Sequence, residues 1–105
     1  MIIEYTRYRI PAEQAARFES AYQRAAVPLA SAPQCVGYEL TRCDEEPECY
    51  VLRITWTSAE DHLKGFRGSE AFRAFFAEVQ PFFPAIEEMR HYSPTGVVGA
   101  GRGAA

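Results

Sequence analysis

The order of hydrophobic periods along the chain predicts an α+β fold, a ferredoxin-like βαββαβ plait whose four-stranded antiparallel sheet carries its helices on one face. Three observations point to it. Strand-like patterning marks four stretches, near 2–10, 35–43, 48–56 and 86–93. Apolar residues at three- and four-residue steps fill the intervals after the first and third stretches. The second and third stretches are joined by a loop so short that they must form a hairpin.

Residues 2 to 10, rich in β-branched and aromatic types and stopped by Pro11, form the first strand. Pro11 opens a helix, since proline lacks only an N–H that the first turn does not use. Glu13 suits the positive helix end, and Ala15, Phe18, Ala21, Tyr22, Ala25 and Leu29 make its apolar face. Pro28 is expected to end or kink this helix near Val27, leaving a loop through Pro33. Val36, Tyr38 and Leu40 alternate with polar neighbours in strand two, as Tyr50, Leu52, Ile54 and Trp56 alternate with Val51, Arg53 and Thr55 in strand three. Between them Asp44, Glu45, Glu46 and Glu48, interrupted by Pro47, form the hairpin loop. After Trp56 the period changes: Thr57 to Glu60 and Ser58 to Asp61 are overlapping capping boxes, and Ala59, His62, Leu63 and Phe66 share one helical face. Gly68 breaks that short helix, and Ser69 caps another bearing Phe72, Phe75, Phe76 and Val79, which Pro81 and Pro84 interrupt. The folded domain is expected over residues 1–93, with a Gly- and Ala-rich tail over 94–105.

A chain of 105 residues with 48% hydrophobic and 13% aromatic residues has room for one core, and any large cavity must compete with that core or be completed by a second copy. The net charge of -3 argues against a nucleic-acid or anionic-membrane partner, because the ten Arg and one Lys are interleaved with acids rather than gathered in a patch. No apolar stretch approaches the roughly 20 residues of a membrane span, and no export signal follows Met1, so the expected location is the cytoplasm. Cys35, Cys43 and Cys49 make neither an even disulfide set nor a metal motif and are read as reduced thiols; no metal is expected. Strand three carries bulk on both faces, so Val51 and its neighbours would be exposed in a monomer. A homodimer with twofold symmetry, its sheets packed face to face, would cover them.

The run Trp56 to Leu63, the segment Ser69-Glu-Ala-Phe72-Arg-Ala-Phe75-Phe76, then Val79 to Phe83 and Glu87 to Tyr92, resembles the antibiotic biosynthesis monooxygenase family over roughly residues 1 to 93. That resemblance implies a dimeric α+β barrel and cofactor-independent oxygenation of a small electron-rich aromatic, such as a quinol or polycyclic phenol, by O2. An anion formed in a dry aromatic pocket can itself pass an electron to oxygen. The protein then has to supply a base, a polar anchor for the oxyanion and exclusion of water, with no cofactor.

His62, on an otherwise apolar helix face, is the first candidate for the base; the plainer alternative is a boundary histidine packed on its neighbours. His91, on the last strand with Met89 on the same side, is the second, with a structural role in the sheet or dimer seam as its alternative. Arg7, with Tyr5, Tyr38 and Arg53, lies on a strand where a guanidinium or phenol could hold an oxyanion, against the default of cross-strand pairs or interface salt bridges. Trp56, Phe66, Phe72 and Phe76 are either plain core or the aromatic wall of a substrate pocket.

Two departures from the family bear on activity. Haem-degrading relatives use a strand-one Asn, a helix Trp and a His where Phe76 stands here, so that arrangement is missing. The quinol-oxidising branch carries a His where Phe66 aligns. The readings that remain are a small monooxygenase and a non-catalytic dimeric module that binds a hydrophobic molecule or a haem-protein partner. A cavity faced by His62 or His91 is what the enzyme requires; a cavity filled by Phe66 and Phe76 is what the module predicts.

Overall fold

The computed structural model describes residues 1–104. Strands β1 (Ile2–Arg9), β2 (Cys35–Arg42), β3 (Cys49–Trp56) and β4 (Ile86–Tyr92) form one sheet in the order β2-β3-β1-β4. All three pairings are antiparallel. Helices α1 (Ala15–Ser31) and α2 (Glu70–Val79) cover one face, which is the βαββαβ plait.

The two faces of β1 differ because of its arginines. Arg7 and Arg9 must reach water, so with Tyr5 they occupy the outer face, and Glu4, Thr6 and Tyr8 turn under the helices. Tyr50, Leu52, Ile54 and Trp56 do the same on β3, each buried, and α1 meets them with Phe18, Ala21, Tyr22, Ala25 and Leu29. Burying each of the larger apolar side chains contributes about 1.5–3 kcal/mol, so this α1 stripe is the main support of the fold.

Helix α1 differs from the expectation at both ends. Pro11 stands outside it: a short 3-10 turn, Ala12–Gln14, comes first. At the other end the helix continues through Pro28 to Ser31. A proline in the last turn removes a single backbone hydrogen bond. Burial of Leu29 and Ala32 holds that turn against the sheet, and Ser31 Oγ–H donates to the Pro28 carbonyl at 2.8 Å. The acidic hairpin loop is closed where Cys43 N–H donates to the Cys49 carbonyl at 2.8 Å, and the three cysteines are free thiols.

The segment after β3 departs further. Ser58 caps it as expected, its Oγ accepting from Asp61 N–H at 3.0 Å. The backbone then widens into a π-helical turn, Asp61–Phe66, in which Arg67 N–H reaches back five residues to the His62 carbonyl at 3.4 Å. His62 and Phe66 point inward, whereas Leu63, expected on the same face, is 51% exposed. Gly68 turns the chain into α2: a Cβ there would lie 2.9 Å from the Lys64 carbonyl. Ser69 then caps α2, accepting from Phe72 N–H at 3.2 Å. A 3-10 run, Gln80–Ala85, carries the prolines into β4. Residues 93–104 are exposed and contain no helix or strand, and no helix among the described residues is long and apolar enough to cross a membrane.

Candidate functional site

The register of the central strands assembles a polar group inside the aromatic core. Glu4 stands opposite Ile54 on β3 and opposite His91 on β4, so the His91 side chain shares the helix-covered face with Glu4. Trp56, at the end of β3, donates its indole N–H to Glu4 Oε1 at 3.0 Å. The π-helical turn lowers His62 onto Trp56, the rings parallel within 8° at 4.5 Å. From there His62 Nε2 lies 3.5 Å from Glu4 Oε1, and His62 Nδ1 lies 3.0 Å from His91 Nε2. Trp56, Glu4, His62 and His91 thus form one chain of polar contacts from the core to an exposed position on β4.

Burial shapes its electrostatics. Glu4 and His62 are only 4% and 3% exposed. Burial pushes the Glu4 carboxyl above the usual carboxylate range, opposed by the Trp56 hydrogen bond and by the charges of His91 and Arg67. Burial lowers His62 to about 4, helped by Arg67 and His91. Both shifts have one sense: the pair resists becoming Glu4 carboxylate beside His62 imidazolium. Two tautomers of His62 satisfy its contact with His91. A hydrogen on His62 Nε2 faces Glu4 across the 3.5 Å contact and leaves Nδ1 to accept from His91; a hydrogen on Nδ1 donates to His91 and leaves the Nε2 lone pair facing Glu4.

Beside this chain lies a cavity of about 290 Å³, bounded by Glu4, Trp56, His62 and Arg67 on one side and by Phe66, Phe72, Phe75, Phe76 and Phe83 from α2 and its flanks. Its inner wall carries Tyr8 and Tyr22, whose hydroxyls hydrogen-bond to each other. Burial pushes Tyr8 up to about 12 and Tyr22 further up, so both stay protonated, and with one hydrogen shared between them a second O–H is left to donate.

The structure therefore brings together His62, His91, Trp56, Phe66, Phe72 and Phe76, His91 through its contact with His62. Tyr5, Arg7 and Arg53 stand apart on the outer face. There Arg7 lies 3.4 Å from Glu87, Arg53 lies 3.5 Å from Glu39, and Tyr5 packs edge-on against Tyr92 at 5.3 Å. Tyr38 lines a separate, solvent-open groove of about 410 Å³ between α1 and the β2–β3 edge, which has no histidine in its wall. Glu4 and Arg67 are the site residues that motif reading misses. For Glu4 a signal exists: Ile2 and Tyr8 share its parity in β1, and the opposite parity holds Arg7 and Arg9, so the strand can bury only the face with the glutamate.

Comparison with known proteins agrees with this architecture. The sequence profile of the antibiotic biosynthesis monooxygenase family matches residues 1–78. The chain belongs to that family. YczJ of Bacillus subtilis (strain 168) is 31% identical over 75 residues, 71% of this chain and 79% of that one. Among solved structures, SnoaB from Streptomyces nogalater, a cofactor-independent oxygenase, superimposes with a TM-score of 0.73 at 20% identity, covering 94% of this chain and 97% of its own. Rv0793 from Mycobacterium tuberculosis gives 0.70 at 12% identity, with 89% and 93% covered. At these identities the structural matches establish a shared fold.

Proposed function

We propose that this family member is a monooxygenase that oxidises a small electron-rich aromatic, a quinol or a polycyclic phenol, with O2 in the cavity beneath α2. The observation that carries the reading is Glu4: a buried carboxyl on the wall of an aromatic cavity, linked through His62 to His91 at the surface. A module that only binds an apolar molecule needs the cavity but not this chain of proton-carrying groups.

In the proposed reaction Trp56, Phe66, Phe72 and Phe76 hold the ring, and the free O–H of the Tyr8–Tyr22 pair donates to a substrate oxygen. Glu4 takes a proton from the bound substrate, and His62 and His91 return it to solvent. The substrate anion transfers one electron to O2, and the resulting radical pair combines into a C–O bond. The peroxide anion so formed takes a proton back through Glu4, and loss of water from the hydroperoxide leaves one oxygen atom in the product and the other in water. The aromatic walls exclude solvent, so the charge that develops is held by fixed dipoles. The small volume, at the lower end of the roughly 300–1,000 Å³ typical of ligand pockets, favours substrates of one to three rings.

We further propose that the protein works as a homodimer through the outer sheet face, where Tyr5, Tyr92 and Val51 are partly exposed beside the Arg7 and Arg53 ion pairs. Proteins of the family are generally dimeric, which supports this arrangement. Sedimentation of the purified protein is expected to give a dimer, and Val51→Asp a monomer.

Oxygen uptake with a panel of quinols and anthrones tests the enzyme reading. Turnover is expected, and Glu4→Gln and His62→Ala are each expected to lower it by about 100-fold or more, the usual contribution of a positioned base. No uptake with any of the panel would overturn the reading; uptake unchanged in both variants would move the base elsewhere.

A further inference from the structure

We propose that Glu4, His62 and His91 form a binding site for a divalent first-row transition cation of the zinc type. One ligand-type atom from each residue lies within 4.8 Å of the other two. The two histidine nitrogens that face each other, His62 Nδ1 and His91 Nε2, are 3.0 Å apart. Nitrogens sharing one ion at about 2.0–2.1 Å stand about 2.9–3.4 Å apart at octahedral or tetrahedral angles, so this edge is already close to coordination length. Ligands at tetrahedral angles stand about 3.3–3.4 Å apart, so the longest separation has to close by up to about 1.4 Å, which takes rotation of the Glu4 side chain from His62 Nε2, which it now faces, toward the two facing nitrogens.

The surroundings suit a cation. Glu4 supplies the negative charge, and its Trp56 N–H contact orients the carboxylate as an outer partner orients a metal ligand. His62 is fixed by stacking on Trp56 and by its place in the π-helical turn. His91 occupies an exposed position on β4, which gives an ion a way in from solvent. One carboxylate with two imidazoles is a borderline donor set, selecting zinc, copper, nickel or iron(II) over magnesium and calcium. Three protein ligands leave a fourth position for water or for an oxygen donor in the adjoining cavity.

The site stands on this geometry and does not depend on the oxygenase reading. One consequence does rest on that reading: with an ion bound, the lone pairs that pass the proton are occupied, so the loaded form loses the relay and turns over more slowly than the metal-free form.

The test is binding, measured without turnover. The full chain, dialysed against a chelator, is titrated with Co²⁺ and then Zn²⁺. The expected result is one Co²⁺ per chain with visible d–d absorption, displaced by Zn²⁺. Glu4→Gln and His91→Asn are each expected to weaken binding at least 10-fold. His91 is exposed, so His91→Asn is expected to keep the wild-type melting curve and to report on the site rather than on folding. Replacing Cys43 and Cys49 by Ser is expected to change nothing. Absence of binding, binding unaffected by Glu4→Gln and His91→Asn, or a sulfur-to-cobalt charge-transfer band that the Cys replacements abolish would each overturn the proposal.

Discussion

Two aromatic regions share one face of the sheet and do different work. Under α1, Phe18 is fully buried and meets Tyr8, Tyr22, Tyr50 and Phe82 edge-on at 4.9–5.2 Å. Its phenol oxygens find partners in each other or in Glu19, so the region is packed, and only the Tyr8–Tyr22 pair reaches from it to the cavity wall. Under α2 and the π-helical turn, Phe66, Phe72, Phe75, Phe76 and Phe83 surround a cavity of about 290 Å³ and face two buried titratable groups, Glu4 and His62. The amino-acid types are similar. The difference lies in what fixes each element to the sheet: α1 lies down with an unbroken apolar stripe, whereas the chain before α2 is interrupted at Gly68 and widened by a π turn, which holds the aromatic rings around a space instead of closing it. The close packing is concentrated in the first region, and Glu4 and His62 lie in the second.

The largest test of that division is truncation of one ring in each region. Phe18→Ala is expected to cost about 3–5 kcal/mol in urea unfolding, as for any fully packed aromatic. Phe76→Ala, on a half-buried cavity wall, is expected to cost less than half of that and to admit larger aromatics. Equal costs would remove the distinction.

The next effect separates the regions by pH. His62 has a folded pKa below its unfolded one, so between about 6.5 and 4 the unfolded chain binds more protons and stability falls as the pH falls. Glu4 has a raised pKa and acts in the opposite sense: its contribution is present at low pH and is lost as the pH rises through the folded value. The net acid loss is expected to be on the order of 1–2 kcal/mol, reversed to a small gain on acidification in His62→Gln and steeper in Glu4→Gln. Denaturant titrations from pH 4 to 7 on the three proteins check both signs.

Smaller effects concern how α2 is held. Ser69→Ala removes the cap and is expected to cost about 1 kcal/mol, with faster amide exchange in α2 than in α1. Arg24→Ala breaks the 2.7 Å ion pair with Glu78 that ties α1 to α2 at the surface, and is expected to change stability by less than about 1 kcal/mol.

Much of the fold was legible in sequence because it rests on local periods. Alternation located the four strands, the Ser69 cap located α2, and the acidic Pro47 loop located the hairpin. Helix α1 runs past Pro28, where local signals predict its end, because burial of Leu29 and Ala32 outweighs one lost hydrogen bond. Leu63 faces solvent because a π turn, which leaves no signal in a three- and four-residue period, rotates it off the His62 face. In the candidate site, the lone histidine at position 62 and the Phe cluster are visible as unusual residues, whereas Tyr5, Arg7 and Arg53 resemble site residues in sequence because a strand pattern does not say which face the helices cover.

By itself, then, the sequence determined that this chain makes a βαββαβ plait with its aromatic surplus gathered after Trp56, since strand period, helix period and capping act over a few residues. Only the tertiary structure decided that Glu4, His62 and His91 meet. They belong to β1, to the turn after β3 and to β4, and their contact depends on the register that sets Glu4 opposite His91 and on the π turn that lowers His62 between them. Register is settled by which faces can be buried across the whole sheet, a property that no short stretch of the chain contains.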